Sequence, residues 1–484
     1  MSSAPTAQGP LVVGVDSSTQ STKVLVVDSA TGRVVARGQA PHHVSTGELR
    51  ESDPKEWWDA LCTALDQCGR PAREAAAVSI GGQQHGLVTL GKDGSPVRPA
   101  LLWNDVRSAP QAQSLVERLG GPKVWADRIG SVPGPSFTVT KWAWLAENEP
   151  ASARATTAVR LPHDYLTERL TGLGTTDRGD VSGTGWWASG AEQYDEGILD
   201  MVGLDPALLP RVARPGEIVG TVRNGDELPF SKGTLVAPGT GDNAAAALGL
   251  GLRPGSPVLS LGTSGTVYAV SERRPADPTG TVAGFADARG AWLPLACTLN
   301  CTQAVDRVAA LLHLEREAVD PGGSVTLLPY LDGERTPNLP HSSGVLHGLR
   351  HDTTPGQLLQ AAYDGAVHSL LGALDVVLDP DADRSSPLLL IGGGARGKAW
   401  QHTVRRLSGR PVQVPEAEEL VALGAAAQAA GLLTGEDPSA IARRWDTARG
   451  PVLDPVERDE AALSRISGVL SDAAPLLDRA PHGE

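Results

Sequence analysis

A β-branched run at residues 11–15 ends in the polar turn Asp16-Ser17-Ser18-Thr19-Gln20-Ser21, and a second run, 23–27, follows at once. The turn Ser29-Ala30-Thr31-Gly32 then leads into a third run, 34–37. Apolar runs joined by short turns predict an antiparallel meander, and no helix has room between them. Half a chain later the pattern returns. Runs at 257–261 and 266–270 flank Gly262-Thr263-Ser264-Gly265. Val13-Gly14-Val15-Asp16-Ser17-Ser18-Thr19 and Ser260-Leu261-Gly262-Thr263-Ser264-Gly265-Thr266 both read as strand, small-hydroxyl turn, strand. The repeat divides the chain nearly in two. It predicts two related α/β domains, 11–252 and 253–484, behind a flexible tail at 1–10. The last fifty residues read as a helical cover on the second.

Composition narrows the partners. The net charge of −14 and a pI near 5.3 argue against a nucleic-acid or anionic-membrane binder, which needs a basic face. One local basic pocket for a phosphorylated ligand stays open. Cys62, Cys68, Cys297 and Cys301 have neither zinc nor disulfide spacing, so four buried thiols in a reducing cytosol are expected. Residues 1–10 lack the basic and apolar regions of a signal peptide, and no run of 18 apolar residues occurs. A cytoplasmic enzyme is the expectation.

Six segments can carry chemistry. The turns at Ser17, Ser18, Thr19 and at Gly262, Thr263, Ser264, Gly265 combine close backbone approach with hydroxyl donors, as a polyphosphate requires; either alone is also a plain hairpin. A strand at 386–391 enters Gly392-Gly393-Gly394-Ala395-Arg396-Gly397-Lys398 and then a helix at 399–407. This matches a dinucleotide fingerprint, with Glu416 placed to take a ribose. It also matches most of a P-loop, with Ala399 where Ser or Thr is required. Gly239-Thr240-Gly241-Asp242-Asn243 puts a carboxylate at a helix start. Asp242 there is either an N-cap or an accessible, ionised proton acceptor favoured by the helix dipole. Gln83-Gln84-His85-Gly86 gathers polar groups of the kind a small polyhydroxylated ligand needs, and Trp103-Asn104-Asp105 is similar in kind.

Taken together these segments resemble the FGGY family of carbohydrate kinases, in the sugar-kinase/actin/heat-shock ATPase superfamily. The likeness is strongest to its xylulokinase branch and spans nearly the whole chain. It runs in family order through VGVDSSTQSTK (13–23), GGQQHG (81–86), LLWNDVR (101–107), LPHDYL (161–166), GTGDNAAAALG (239–249), SLGTSGT (260–266), LLPYLDGERTP (327–337) and IGGGARGKAWQ (391–401). The resemblance implies two actin-like, ribonuclease H-like α/β domains with a cleft between them, the sugar and first phosphate loop on the N-terminal side and the nucleotide on the C-terminal side. It implies Asp242 as catalytic base and Asp16 as the acid at the magnesium–phosphate end of ATP. It further implies phosphate loops at Ser17–Thr19 and 262–265, nucleoside-side glycines Gly393 and Gly394, and sugar contacts from Gln84, His85 and Asn243, with Trp103 added here as a further contact. Xylulokinases often carry Met where Gln84 stands. The expected partners are D-xylulose and MgATP, with no nucleic acid and no membrane; a homodimer is a further expectation. A kinase for L-ribulose, gluconate, L-fuculose or glycerol is the alternative within the family, and an NAD-dependent oxidoreductase the remote one.

Overall fold

The computed structural model describes residues 9–477 except 46–48, 224–229 and 232. Residues 1–8 of the expected tail lie outside them. Two compact units emerge. The first comprises residues 1–252, 272–293 and 417–448, and the second 253–271, 294–416 and 449–484.

The first unit is built on β1 (Leu11–Ser17), β2 (Ser21–Asp28), β3 (Val34–Pro41), β4 (Ala77–Gly82), β5 (Gly220–Thr221) and β6 (Leu235–Val236). The sheet order is β5-β6-β4-β1-β2-β3. The expected meander forms: β1–β2 and β2–β3 are antiparallel, and β4 adds parallel to β1. Side chains alternate across the sheet, as a two-residue period requires. Val13, Val15, Val24 and Val26 point to one face and meet Trp57, Leu61 and Leu65 of the helix Pro54–Cys68. Val12, Leu25 and Val27 point to the other and meet Ala422, Ala426 and Ala430 of the helix Leu420–Thr434. The first helix starts where the Asp53 side chain accepts the Lys55 N–H with Pro54 in the first turn, and it stops at Gly69 with φ 60°. Trp57 is wholly buried, and its truncation to Ala costs about 3–5 kcal/mol.

The second unit repeats the frame with β7 (Pro257–Leu261), β8 (Gly265–Ala269), β9 (Trp292–Thr298), β10 (Leu388–Ile391), β11 (Val412–Gln413) and β12 (Val452–Leu453). Their order is β9-β8-β7-β10-β11-β12. The senses match the first sheet strand for strand: antiparallel β7–β8 and β8–β9, parallel β7–β10 and β10–β11, antiparallel β11–β12. The internal repeat of the sequence is therefore a repeat of the sheet.

Two expectations change. The final segment is not one cover: the helix Pro438–Trp445 packs with the first unit, while Glu460–Leu477 lays Ile466, Ala473 and Leu477 on Leu328 and Tyr330 of the second. Of the four thiols, Cys68 and Cys301 are buried, but Cys62 and Cys297 are half-buried. Among the described residues no helix is long and apolar enough to cross a membrane.

Candidate active site

The chemistry of the first unit collects at the carboxyl end of β4. Register pairs Gly81 with Asp16 on one side and with Thr240, of the short strand Thr240–Gly241, on the other. Asp16 and Asp242 thus flank the point where β4 runs out into Gln83-Gln84-His85. Carboxyl ends of parallel strands are where open α/β sheets bind ligands, because the loops there diverge. Gly239 is needed on the way in. Its φ is +77°, and a Cβ would lie 2.6 Å from the Ile80 carbonyl oxygen.

Burial pushes the Asp16 carboxyl up to about 6, against the hydrogen bond from Ser18 Oγ (2.5 Å) and the charge of Lys23. Lys23 is itself committed to Glu419 at 2.8 Å. Asp242 is pushed up to about 7, first by burial and then by the negative charge of Asp16. This corrects the sequence expectation twice. Asp242 is not the N-cap: Gly241 is, and Asp242 opens the helix Asp242–Gly249. Nor does the helix terminus keep its proton off. Desolvation and a like charge outweigh the dipole, and the carboxyl titrates near neutrality.

Asn243 links Asp242 to Gln84. The Asp242 carboxylate accepts from its N–H at 2.7 Å and from Nδ2 at 2.9 Å, while Nδ2 also donates to Gln84 Oε1 at 2.6 Å. That leaves the Gln84 amide as a donor and the Asn243 carbonyl as an acceptor beside the carboxylate. His85 Nδ1 lies 3.0 Å from Asp180 Oδ1. Trp103, 39 % exposed, donates Nε1 to Thr19 Oγ1 at 3.3 Å, so it sits against the first turn.

In that turn Ser17 Oγ pairs with Thr22 Oγ1, Ser18 Oγ is spent on Asp16, and the Ser17, Gln20 and Ser21 carbonyls accept the N–H groups of Gln83, His42 and Ser18. The second unit's turn is tied in the same way. Its Leu261, Gly262 and Thr263 carbonyls accept from Gly394, Thr302 and Gln303. Each turn ties its carbonyl acceptors inward, and in the first the Ser18 N–H is itself spent on the Ser21 carbonyl. Gly393 is exposed, and a Cβ on it would meet nothing within 4 Å; Gly394 is buried against Thr302 and Leu261.

Sequence reasoning missed one group. His163 Nε2, wholly buried, lies 3.3–3.4 Å from carboxylate oxygens of Asp164, Asp177 and Asp180. Burial opposes a charged imidazole, but these carboxylates outweigh it and push His163 up to about 9. The signal was the pair of acids three apart in Asp177-Arg178-Gly179-Asp180, on one face of a single turn.

Comparison with known proteins identifies the family. Residues 11–249 match the N-terminal domain, and residues 258–432 the C-terminal domain, of the FGGY family of carbohydrate kinases. The chain is 82% identical to a xylulose kinase of Streptomyces coelicolor over 98% of both chains, and 81% identical to one of Streptomyces rubiginosus over the same share. The crystal structure of xylulose kinase from Bifidobacterium adolescentis superposes with a TM-score of 0.83 at 37% identity, over 95% of this chain and 99% of that one. The chain belongs to the FGGY family of carbohydrate kinases.

Proposed function

We propose that this chain transfers the γ-phosphoryl group of MgATP to O5 of D-xylulose, with Asp242 as general base. The observation that carries the mechanism is the Asp16–Asp242 pair at the end of β4, beside the Asn243–Gln84–His85 cluster. The near-full-length likeness to xylulose kinases supports the choice of sugar.

Gln84, His85 and Asn243 hold the ketose by its hydroxyls, and Trp103 covers it next to the first turn. Asp242 takes the proton of the O5 hydroxyl as that oxygen attacks the γ-phosphorus in line. One P–O bond forms, the bond to the bridging oxygen of ADP breaks, and D-xylulose 5-phosphate and ADP result. A base that titrates near 7 is matched to work at neutral pH, being free to accept and strong enough to pull. Ser17–Thr19 and the 262–265 turn each offer backbone donors to phosphate, and Gly393 and Gly394 serve the nucleoside end of ATP.

The donor set fits magnesium. Asp16 is a hard oxygen ligand, the Lys23 cation near it is paired with Glu419, and Asp242 keeps its carboxylate for the proton. Among the described residues no cluster of three ligating side chains occurs. That suits a metal bound through one or two carboxylates, water and substrate phosphates. Magnesium so held supplies charge neutralisation on the phosphate oxygens. The same reading puts the enzyme in the cytoplasm, and self-association as a homodimer goes with it.

A coupled ADP-release assay with MgATP over D-xylulose, L-ribulose, L-fuculose, gluconate and glycerol tests the proposal. D-xylulose should give the highest kcat/KM by at least about tenfold, the scale set by one well-placed hydroxyl contact. A better turnover of any other member overturns the substrate choice.

A further inference from the structure

His85 is tightly held. Its φ is +59°, a left-handed conformation uncommon for a residue with a side chain. Both backbone groups are tied: Asp180 Oδ1 accepts its N–H at 3.2 Å, and Thr138 Oγ1 donates to its carbonyl at 3.0 Å. The ring stacks on Phe137 with centroids 6.0 Å apart and meets Phe285 at 4.8 Å. Gly183 lies against the ring edge, where a Cβ would fall 1.8 Å from His85 Cε1. A strained backbone fixed by its surroundings is a mark of a site that needs one orientation.

The same carboxylate that takes the backbone N–H also takes the ring. Asp180 Oδ1 lies 3.0 Å from Nδ1, and a carboxylate accepts only, so Nδ1 carries the proton. Among the described residues nothing bonds Nε2. Asp180 is in turn immobilised. It is wholly buried, its Oδ2 faces His163 Nε2 at 3.4 Å, and its N–H donates to Asp177 Oδ1 at 2.9 Å. Asp177 Oδ2 then accepts from Thr240 Oγ1 at 2.7 Å, two residues before Asp242. One continuous polar chain therefore runs from the imidazole to the strand that delivers the base.

We propose that Asp180 is a positioning residue for phosphoryl transfer: it locks His85 as the Nδ1–H tautomer, leaving Nε2 as an acceptor for a ketose hydroxyl, and through Asp177 and Thr240 it ties that acceptor to the Asp242 strand. The role rests on the reading that His85 contacts the sugar. A neutral ring with the other tautomer would present a donor in the same place. Substrate hydroxyls could turn to meet it, but Asp180 would then face a lone pair, and a buried anion without its donor is costly.

Nitrogen-15 NMR of the full-length protein labelled at histidine, with His85→Gln to assign the resonances, reads the tautomer directly. The wild type should show His85 protonated at Nδ1 and bare at Nε2 at neutral pH. In Asp180→Asn that preference should be lost. D-xylulose KM should rise roughly tenfold to a hundredfold, as expected for losing a hydrogen bond to a charged group, with ATP KM within about twofold. Thr240→Val, which only cuts the link to Asp177, should raise D-xylulose KM by less than Asp180→Asn does. A wild-type spectrum with Nε2 protonated, alone or as imidazolium, overturns the role of Asp180, and it does so even if Asp180→Asn fails to fold. Equal rises in both KM values overturn it as well. If instead His85→Gln leaves D-xylulose KM unchanged in a folded protein, the sugar contact itself is wrong.

Discussion

The two sheets share one frame and differ in what they carry. In each, a strand ends in a small-hydroxyl turn, an antiparallel partner returns, and a parallel strand lies alongside. Even one backbone bond repeats: the Ser17 carbonyl accepts from Gln83, and the Leu261 carbonyl accepts from Gly394. Yet the first strand end presents Asp16, and its neighbour continues into Gln84 and His85. The second presents Leu261 and continues into glycine. The frame makes a small-hydroxyl turn in both places, and at the first it adds the titratable side chains on which the proposed proton transfer depends.

That contrast is broken most severely at Asp242. Asp242→Asn should lower kcat for D-xylulose by roughly 10²–10⁴-fold, because an amide cannot take the hydroxyl proton. The same variant should melt higher than wild type at pH 8. The sign follows from linkage. The Asp242 carboxyl sits above its unfolded value of 3.8, so the unfolded chain gives up this proton first. Stability then falls as pH rises from about 4 to about 7, and Asn removes that loss. A Tm decrease would mark an unfolding artefact, and a turnover within a few-fold of wild type would refute the base. In the wild type, kcat/KM should climb as pH passes through about 7, and an activity flat from pH 5.5 to 8 would count against the same assignment.

Asp16→Asn comes next. The amide keeps the contact with Ser18 but loses the charge, so kcat should fall on the order of tenfold to a hundredfold while binary D-xylulose binding holds. Raising magnesium should recover part of the rate. Unchanged turnover at all magnesium concentrations would reduce Asp16 to a turn residue.

Much of this was legible before any coordinates. The meander, the helix over Trp57 and the repeat follow from two-residue and 3.6-residue spacing, and the motif residues follow from their glycine-bounded turns. What periodicity could not reach was tertiary. The 420–434 helix, apolar nearly all round, gives no hint that it packs on a sheet formed four hundred residues earlier. The proton affinity of Asp242 depends on burial and on Asp16, which sequence places far away, so the dipole argument chose the wrong sign. Asp180 was legible only as an acid three residues after Asp177, and His163 only as one letter of the 161–166 motif. Their importance lies in 3.0–3.4 Å contacts that join three separate segments.

The gentlest way to sharpen the comparison lies in the second unit, where glycines stand in place of Gln84 and His85. Gly393 and Gly394 were read from sequence as one pair, but the structure separates them. A Cβ on Gly393 enters open space at an ordinary φ, whereas one on Gly394 would lie 2.8 Å from Thr302 Cγ2 and 3.0 Å from Leu261 Cβ. Gly394→Val should therefore destabilise the second unit by about 1–3 kcal/mol through overpacking, whatever it does to ATP. Gly393→Val should leave the melting curve where it is. If the backbone here must approach the nucleoside closely, its added methyls should raise ATP KM roughly tenfold, with D-xylulose KM unmoved and kcat little changed. Both Michaelis constants staying at wild-type values in folded Gly393→Val would mean that the glycine turn serves the fold alone, and that the second sheet's contribution to ATP must be sought in the 262–265 turn.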